Sequence, residues 1–145
     1  MTLGEKMDRN LVKAITDLEK VSAGEVIKVP APDDRLIDEY EKKTGFKFND
    51  DYRYFLKKAS IIFYGNIEPL ILTKELNVRG ELLQEIRAAQ RLGVPLDWLP
   101  ICEDNGDYYC LDQAGRVRFW SGNGVSLEAW ETLAEWVNDV WLGAN

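Results

Sequence analysis

The chain has 145 residues, of which 46% are hydrophobic and 30% are charged, and its formal net charge is −7. This length is enough for one domain with its own core, and no apolar run approaches the ~20 residues of a membrane-spanning helix. The sequence contains no histidine, which excludes histidine-dependent triads, a histidine general base and histidine-ligated zinc. The two cysteines cannot supply the four ligands of an all-cysteine zinc site. We therefore expect a protein without a metal or cofactor.

The N-terminal segment predicts a helix over about residues 2–22. Thr2 and Glu5 have the spacing of a capping box, and apolar residues then recur every three or four positions as far as Ser22. This charged pattern has no signal-peptide core, so we expect a cytoplasmic protein. After two prolines, Asp33 is placed to cap a second helix that stops at Gly45.

The middle of the chain predicts two more helices with short strands between them. A third helix begins at Asn49 or Asp50 and is followed by two short β-branched and aromatic segments, SIIFYG and PLIL. A longer helix then runs roughly from Asn77 to Leu92, where a glycine and a nearby proline end it.

The residues from 99 to 120 predict an antiparallel meander of three strands, LPICE, DYYCLD and RVRFW. Asp104-Asn105-Gly106 supplies the residues of a tight hairpin turn, and Ala114-Gly115 makes the next turn. A closing helix is predicted from Ser126 to Leu142.

Helices and antiparallel strands therefore occur in blocks, without βαβ alternation, which predicts the α+β class. We expect a single domain over residues 1–145, with an antiparallel sheet of about five to six strands flanked by helices and closed by the C-terminal helix. Cys102 and Cys110 fall on neighbouring strands of this sheet. We expect two free thiols, and a cross-strand disulfide is the alternative.

Short motifs in both halves of the chain carry a family resemblance over about residues 32–142. In the first half, two segments look like helices around a buried Tyr, Phe, Leu motif: Ile37 to Glu41 and Asp50 to Leu56. In the second half the matching motifs are Leu99-Pro100-Ile101, Asn105-Gly106-Asp107, Tyr109 to Asp112, Gly115-Arg116-Val117 and the closing helix. Together these segments resemble the SUKH superfamily, the Smi/Knr-type domain.

The resemblance implies a domain without catalytic residues. Bacterial members of this superfamily are chiefly immunity proteins that bind and neutralise toxins, often nucleases, and eukaryotic relatives act as scaffolds. Because such domains bind different partners through different surfaces, the resemblance carries over no interface residue to this sequence.

The negative charge is concentrated near the C-terminus. Residues 103–145 carry eight acidic and two basic side chains, so six of the seven net negative charges lie there. On the predicted closing helix, four carboxylates recur on the face opposite the apolar stripe: Glu128, Glu131, Glu135 and Asp139. This face is either an acidic docking surface or an ordinary solvated surface.

Two further features are candidate contacts. Asp104, Asp107 and Asp112 cluster around the predicted hairpin, where Asp residues are most often turn formers. Trp136 falls about 100° from the centre of the apolar stripe, so it is either a partly exposed anchor or packs against the sheet edge.

These features favour a basic protein as the partner, and we interpret the chain as an immunity protein for a basic toxin domain, possibly a nuclease. Direct nucleic-acid binding requires clustered Lys and Arg, which the sequence lacks. An adaptor or regulatory module with a cellular partner is the alternative. An enzyme that uses the Asp104, Asp107 and Asp112 carboxylates is a third hypothesis, and it requires two of them in an enclosed pocket.

Overall fold

The computed structural model describes residues 8–22, 29–75 and 78–143. In these residues the elements follow one another as α1 (Arg9–Val21), α2 (Asp34–Thr44), α3 (Asp50–Lys58), β1 (Glu68–Pro69), α4 (Leu82–Leu92), β2 (Leu99–Asp104), β3 (Asp107–Leu111), β4 (Val117–Ser121), β5 (Gly124–Trp130) and α5 (Leu133–Trp136), which continues as a π-helical turn over Val137–Trp141. The α+β class is confirmed. No helix in the described part of the chain is long and apolar enough to cross a membrane.

The first helices begin at side-chain caps. Asp33 and Asn49 accept hydrogen bonds from the N–H groups of Leu36 and Tyr52, at 2.9 and 2.8 Å, as the sequence predicts. Gly45 ends α2 with φ of 75°, a left-handed conformation that glycine adopts readily. The predicted capping box at the N-terminus lies outside the described residues, and α1 begins after Asp8.

Helix α4 begins at Leu82, five residues later than the spacing predicts, and Asn77 lies outside the described residues. Its cap is Glu81, a buried carboxylate that accepts hydrogen bonds from the N–H groups of Leu83 and Gln84. The hydroxyl of Tyr40 in α2 donates to the same carboxylate at 2.7 Å. This cap therefore connects α2 to α4.

The five strands form one antiparallel sheet in the order β1-β2-β3-β4-β5. The three strands of the predicted meander are confirmed as β2, β3 and β4. Segment PLIL overlaps the short strand β1 only at Pro69. Segment SIIFYG does not form a strand. Among the described residues it makes only isolated β-bridges, such as the one between Tyr64 and Ile67.

The predicted closing helix is present, but its predicted start at Ser126 is wrong. Residues Gly124–Trp130 form β5, because Gly122 and Asn123 make a two-residue turn that pairs Gly124 with Ser121 of β4. The helix begins only at Leu133, after Thr132.

Side chains of β3 alternate between the two faces of the sheet, and each face has its own apolar cluster. The larger cluster contains Tyr109 and Cys102 and includes side chains from all five helices. The smaller cluster contains Tyr108, Cys110 and Trp98. Both cysteines are buried free thiols on different clusters, so the expectation of free thiols is confirmed.

The buried cap provides a test of the fold. Replacing Glu81 with Ala leaves the N–H groups of Leu83 and Gln84 without their acceptor, whereas the Tyr40 hydroxyl can still donate to the Thr73 carbonyl oxygen, and we expect a loss of about 1–3 kcal/mol in the free energy of unfolding. Glu81→Gln keeps one acceptor oxygen and should lose clearly less. Urea unfolding measures both, and a loss below about 0.5 kcal/mol for the alanine variant would contradict this role of the cap.

Candidate functional site

The turn between β2 and β3 places two of the predicted carboxylates side by side. Asp104 and Asp107 are paired across the strand ends, and Asn105 and Gly106 between them have φ values of 53° and 92°. These angles are those of a tight hairpin turn, as the sequence predicts. Burial, and then the neighbouring Asp107 carboxylate, raise the pKa of Asp104.

Asp112 does not join them, so the prediction of one cluster around the hairpin is wrong for this residue. Asp112 lies at the other end of β3, where it accepts hydrogen bonds from the N–H groups of Ala114 and Arg116 at 3.0 Å. Burial opposes its ionisation, but these bonds and the Arg116 and Arg118 guanidinium groups outweigh it and lower the pKa of Asp112. This carboxylate organises the β3–β4 turn. Within the described residues, no group of three or more acidic or cysteine side chains is arranged to hold a metal ion.

The hairpin carboxylates share their surroundings with Glu128 of β5. Burial raises the pKa of the Tyr109 hydroxyl to about 12, and the carboxylates of Asp104, Glu128 and Asp107 add to this effect. Sheet register places them at the same end of the sheet, since Asp104 pairs with Asp107, Tyr109 pairs with Phe119, and Glu128 lies in the part of β5 opposite Phe119. The sequence places Asp104 and Asp107 at a hairpin and Glu128 on a helix, whereas in the structure all three belong to one sheet.

Aromatic rings surround Tyr109 on its other sides. Its ring centroid lies 5.0 Å from that of Phe119 and 6.0 Å from that of Trp130, and both of these residues are half-buried. We call the six residues together the acidic–aromatic surface: Asp104, Asp107, Tyr109, Phe119, Glu128 and Trp130. An apolar centre with an acidic border suits a protein contact with basic side chains at its edge.

The other predicted carboxylates lie at the start of α5 and beyond. Glu131 precedes the helix, and its N–H donates to the Glu135 carboxylate at 3.1 Å, while Thr132 Oγ1 accepts from the Glu135 N–H. Thr132 therefore caps the helix, and the Glu135 carboxylate accepts from the residue before the cap, so Glu135 has a structural role as well as an exposed position. Asp139 is exposed one turn further along the helix.

Trp136 is not an exposed anchor. Its side chain is 0% exposed, and its ring lies 5.1 Å from Tyr109 and 6.4 Å from Phe55 of α3, measured between centroids. Trp136 therefore packs against the sheet as the alternative predicts, although it does so on the central strand β3 and not at the sheet edge. The four predicted carboxylates also do not share one helix face, because Glu128 belongs to strand β5 and Glu131 precedes the helix.

Arg116 and Arg118, the two arginines of β4 and the turn before it, make contacts within the protein. Arg118 stacks on Trp98, with its guanidinium carbon 4.8 Å from the ring centroid, and pairs with Asp112 at 3.4 Å. Arg116 pairs with the same carboxylate at 3.1 Å. Of the eight predicted partner-binding residues, Asp112 is the one that takes part in an ion pair among the described residues. The remaining acidic charges are therefore not neutralised within this part of the chain.

A second acidic feature lies at the opposite edge of the sheet. A cavity of about 280 Å³ is lined by apolar side chains from the β1 region and by Glu68, Glu85, Glu103 and Arg79. Glu68 and Glu103 are direct cross-strand neighbours. Burial, and then the Glu68 and Glu85 carboxylates, raise the pKa of Glu103, although the Gly106 N–H and Arg79 oppose this. Like charges in this position destabilise a sheet.

Sequence reasoning did not identify the aromatic half of the site. Tyr109 and Phe119 alternate with residues of the other face along β3 and β4, which a period of two indicates. Trp130 falls at helical spacing from Leu133, so the spacing predicts a helix where the structure has a strand. The pair Thr132 and Glu135 was the available signal, since this Thr-x-x-Glu spacing is typical of the start of a helix and falls after Trp130.

The fold defines a small α+β domain with one antiparallel sheet and five helices in its described residues. A family model, SUKH_5, described as SMI1-KNR4 cell-wall, matches residues 10–142. The chain belongs to this SMI1-KNR4 family, which confirms the SUKH resemblance. A crystal structure of a protein from Pseudomonas syringae pv. tomato is 34% identical, with a TM-score of 0.79 and coverage of 90% of this chain and 98% of that chain. No curated protein matches the sequence.

The like-charge pair across β1 and β2 predicts a stabilising substitution. Glu103→Gln removes the repulsion but keeps an oxygen for the Gly106 N–H, so we expect a gain of about 0.2–1 kcal/mol at neutral pH, toward the lower end because the site is open to solvent. The pKa of Glu103 is raised in the folded state. The gain in the free energy of unfolding should therefore fade as the pH drops through that pKa, and it should vanish below the pKa of an unfolded glutamate, near 4.3.

Urea unfolding as a function of pH measures this difference, and Glu19→Gln on the exposed side of α1 is the matched control, expected to change little. A loss of stability in Glu103→Gln at neutral pH would show that the carboxylate is held by a favourable interaction.

Proposed function

We propose that this chain is a non-catalytic, cytoplasmic immunity protein that binds a basic toxin domain and neutralises it. The family supports an interaction or immunity-type role. The toxin partner is our inference from the charge and shape of the acidic–aromatic surface.

The observation that carries the proposal is a set of unpaired carboxylates around an aromatic centre. Asp104, Asp107 and Glu128 lie at the same end of the sheet, and none of them takes part in an ion pair among the described residues. In α2 and α3, by contrast, Arg53 pairs with Asp38 at 2.8 Å and also lies close to Asp34. The three carboxylates of the acidic–aromatic surface thus have no ion-pair partner among the described residues and are available to a partner protein.

Such a surface suits a toxin that acts on nucleic acid. A protein that binds phosphates needs clustered basic side chains, and an inhibitor that covers them gains from opposite charge. Charge complementarity speeds the encounter by about 10- to 1,000-fold at low salt. The aromatic centre then supplies the apolar area that slows dissociation.

The arrangement gives little support to a carboxylate enzyme. Acid and base carboxylates must share an enclosed site that separates their pKa values. Asp104 and Asp107 flank an exposed turn and not an enclosed site, and Asp112 forms ion pairs with Arg116 and Arg118. We therefore propose a binding function without catalysis for this region.

A charge reversal tests the proposal. The variant Asp107→Lys/Glu128→Lys reverses two charges of the acidic–aromatic surface, and Glu19→Lys/Glu39→Lys makes the same change in net charge on exposed positions of α1 and α2. Each is co-produced with the toxin domain encoded next to the gene for this chain, and cell growth is recorded.

The surface variant should fold normally, accumulate normally and lose protection, with association slowed about tenfold or more at low salt. The control variant should protect like the wild type. Full protection by the surface variant would place the interface elsewhere, and the absence of a toxin gene beside this one would favour an adaptor with a cellular partner.

A further inference from the structure

Strand β5 forms an open edge of the sheet. The opposite edge, β1, has two residues and ends at Pro69, and Ile71 just beyond it bridges to Glu81. A short strand with a proline and a covering segment is a protected edge. β5 has seven residues, and in the described ranges no further strand pairs with it.

A bulge interrupts β5 at its middle. Ala129 pairs with Arg118 and Val125 pairs with Trp120, so the three residues from 126 to 128 lie opposite Phe119 alone. A bulge of this kind redirects side chains away from the regular ladder.

Local hydrogen bonds hold the bulge in one conformation. The Glu128 N–H donates to Ser126 Oγ at 2.9 Å, and Arg118 Nε donates to the Glu128 carbonyl oxygen at 3.4 Å. The backbone that displays a side chain on such a bulge is ordered before a partner arrives, which lowers the entropy lost on binding.

The residue at the centre of the bulge is Leu127, whose side chain is 97% exposed, compared with 74% for Leu96 in the loop before β2. The fold gains almost nothing from this leucine, since its side chain contacts little of the protein. On a partner, however, a leucine that enters an apolar socket is a typical source of binding energy.

The charges around Leu127 indicate which partner fits. Glu128 is adjacent, and Asp104 and Asp107 lie at the turn between β2 and β3 of the same sheet. A second copy of this chain, related by a two-fold axis, would bring the same carboxylates toward one another. A protein with an apolar socket bordered by Lys or Arg would instead meet opposite charge.

We propose that the β5 bulge is the main contact of this protein, and that Leu127 is the apolar anchor that inserts into a socket on a basic protein partner. The acidic–aromatic surface steers that partner, and Leu127 holds it. This inference rests on the proposed function only in taking the partner to be a basic protein.

A photocrosslinker at the bulge tests the inference in the cells that naturally produce the protein. The variant Leu127→p-benzoylphenylalanine is compared with Leu96→p-benzoylphenylalanine, the same change at another exposed leucine. Each is also made in the Asp107→Lys/Glu128→Lys background. Crosslinked proteins are identified by mass spectrometry, purified and used in binding kinetics.

We expect one basic protein to crosslink at position 127 and not at 96, and to be lost in the charge-reversed background. With the purified partner, Leu127→Asn should dissociate about 10- to 100-fold faster than wild type with little change in salt dependence, and Leu96→Asn should behave like wild type.

A crosslink at 127 to a second copy or to an acidic protein, equal labelling at 127 and 96, or no labelling at 127 would overturn the inference. If the captured basic protein is a cellular component and no toxin, the anchor stands and the immunity function fails. If the toxin binds the wild type and Leu127→Asn equally well, the function stands and the anchor fails.

Discussion

The packing of Trp136 is the interaction on which the rest of the structure depends. Its buried ring lies between Phe55 of α3, Trp141 of the C-terminal turn and Tyr109 of β3, with centroids 6.4, 5.9 and 5.1 Å away. One indole therefore joins the sheet to two helical segments. Because it fills the inner side of α5, the neighbouring Glu135 is left at the surface, where its carboxylate completes the cap of the same helix.

Tyr109 extends this core to the surface. One side of its ring packs on Trp136, and its other neighbours are Phe119 and Trp130, which are half-buried. The aromatic centre of this surface is thus part of the packed core, and a partner need not order it first. Unpaired like charges lower stability, and proteins keep such local costs mainly where function requires them.

Local signals were sufficient for several elements. Asp33 and Asn49 cap helices because a side-chain oxygen can reach an N–H two or three residues on, and Asn105-Gly106 forms a turn because both residues tolerate positive φ. Helical spacing gives the wrong prediction for residues 126–130, because Trp130 fits both a helical and a strand period. These residues form a strand because they pair with β4. The pairing of Asp112 with two arginines and the meeting of Glu128 with the hairpin both depend on sheet register, which local spacing does not contain.

We propose that the partner binds the β5 edge of the sheet together with the β2–β3 turn. Backbone hydrogen–deuterium exchange of the protein, free and saturated with its partner, tests this directly, because it reports every segment without substitution. We predict slower exchange in the complex at residues 104–109 and 124–131, with α1 and α2 unchanged. Slower exchange confined to α1 and α2, with β5 unchanged, would contradict the account.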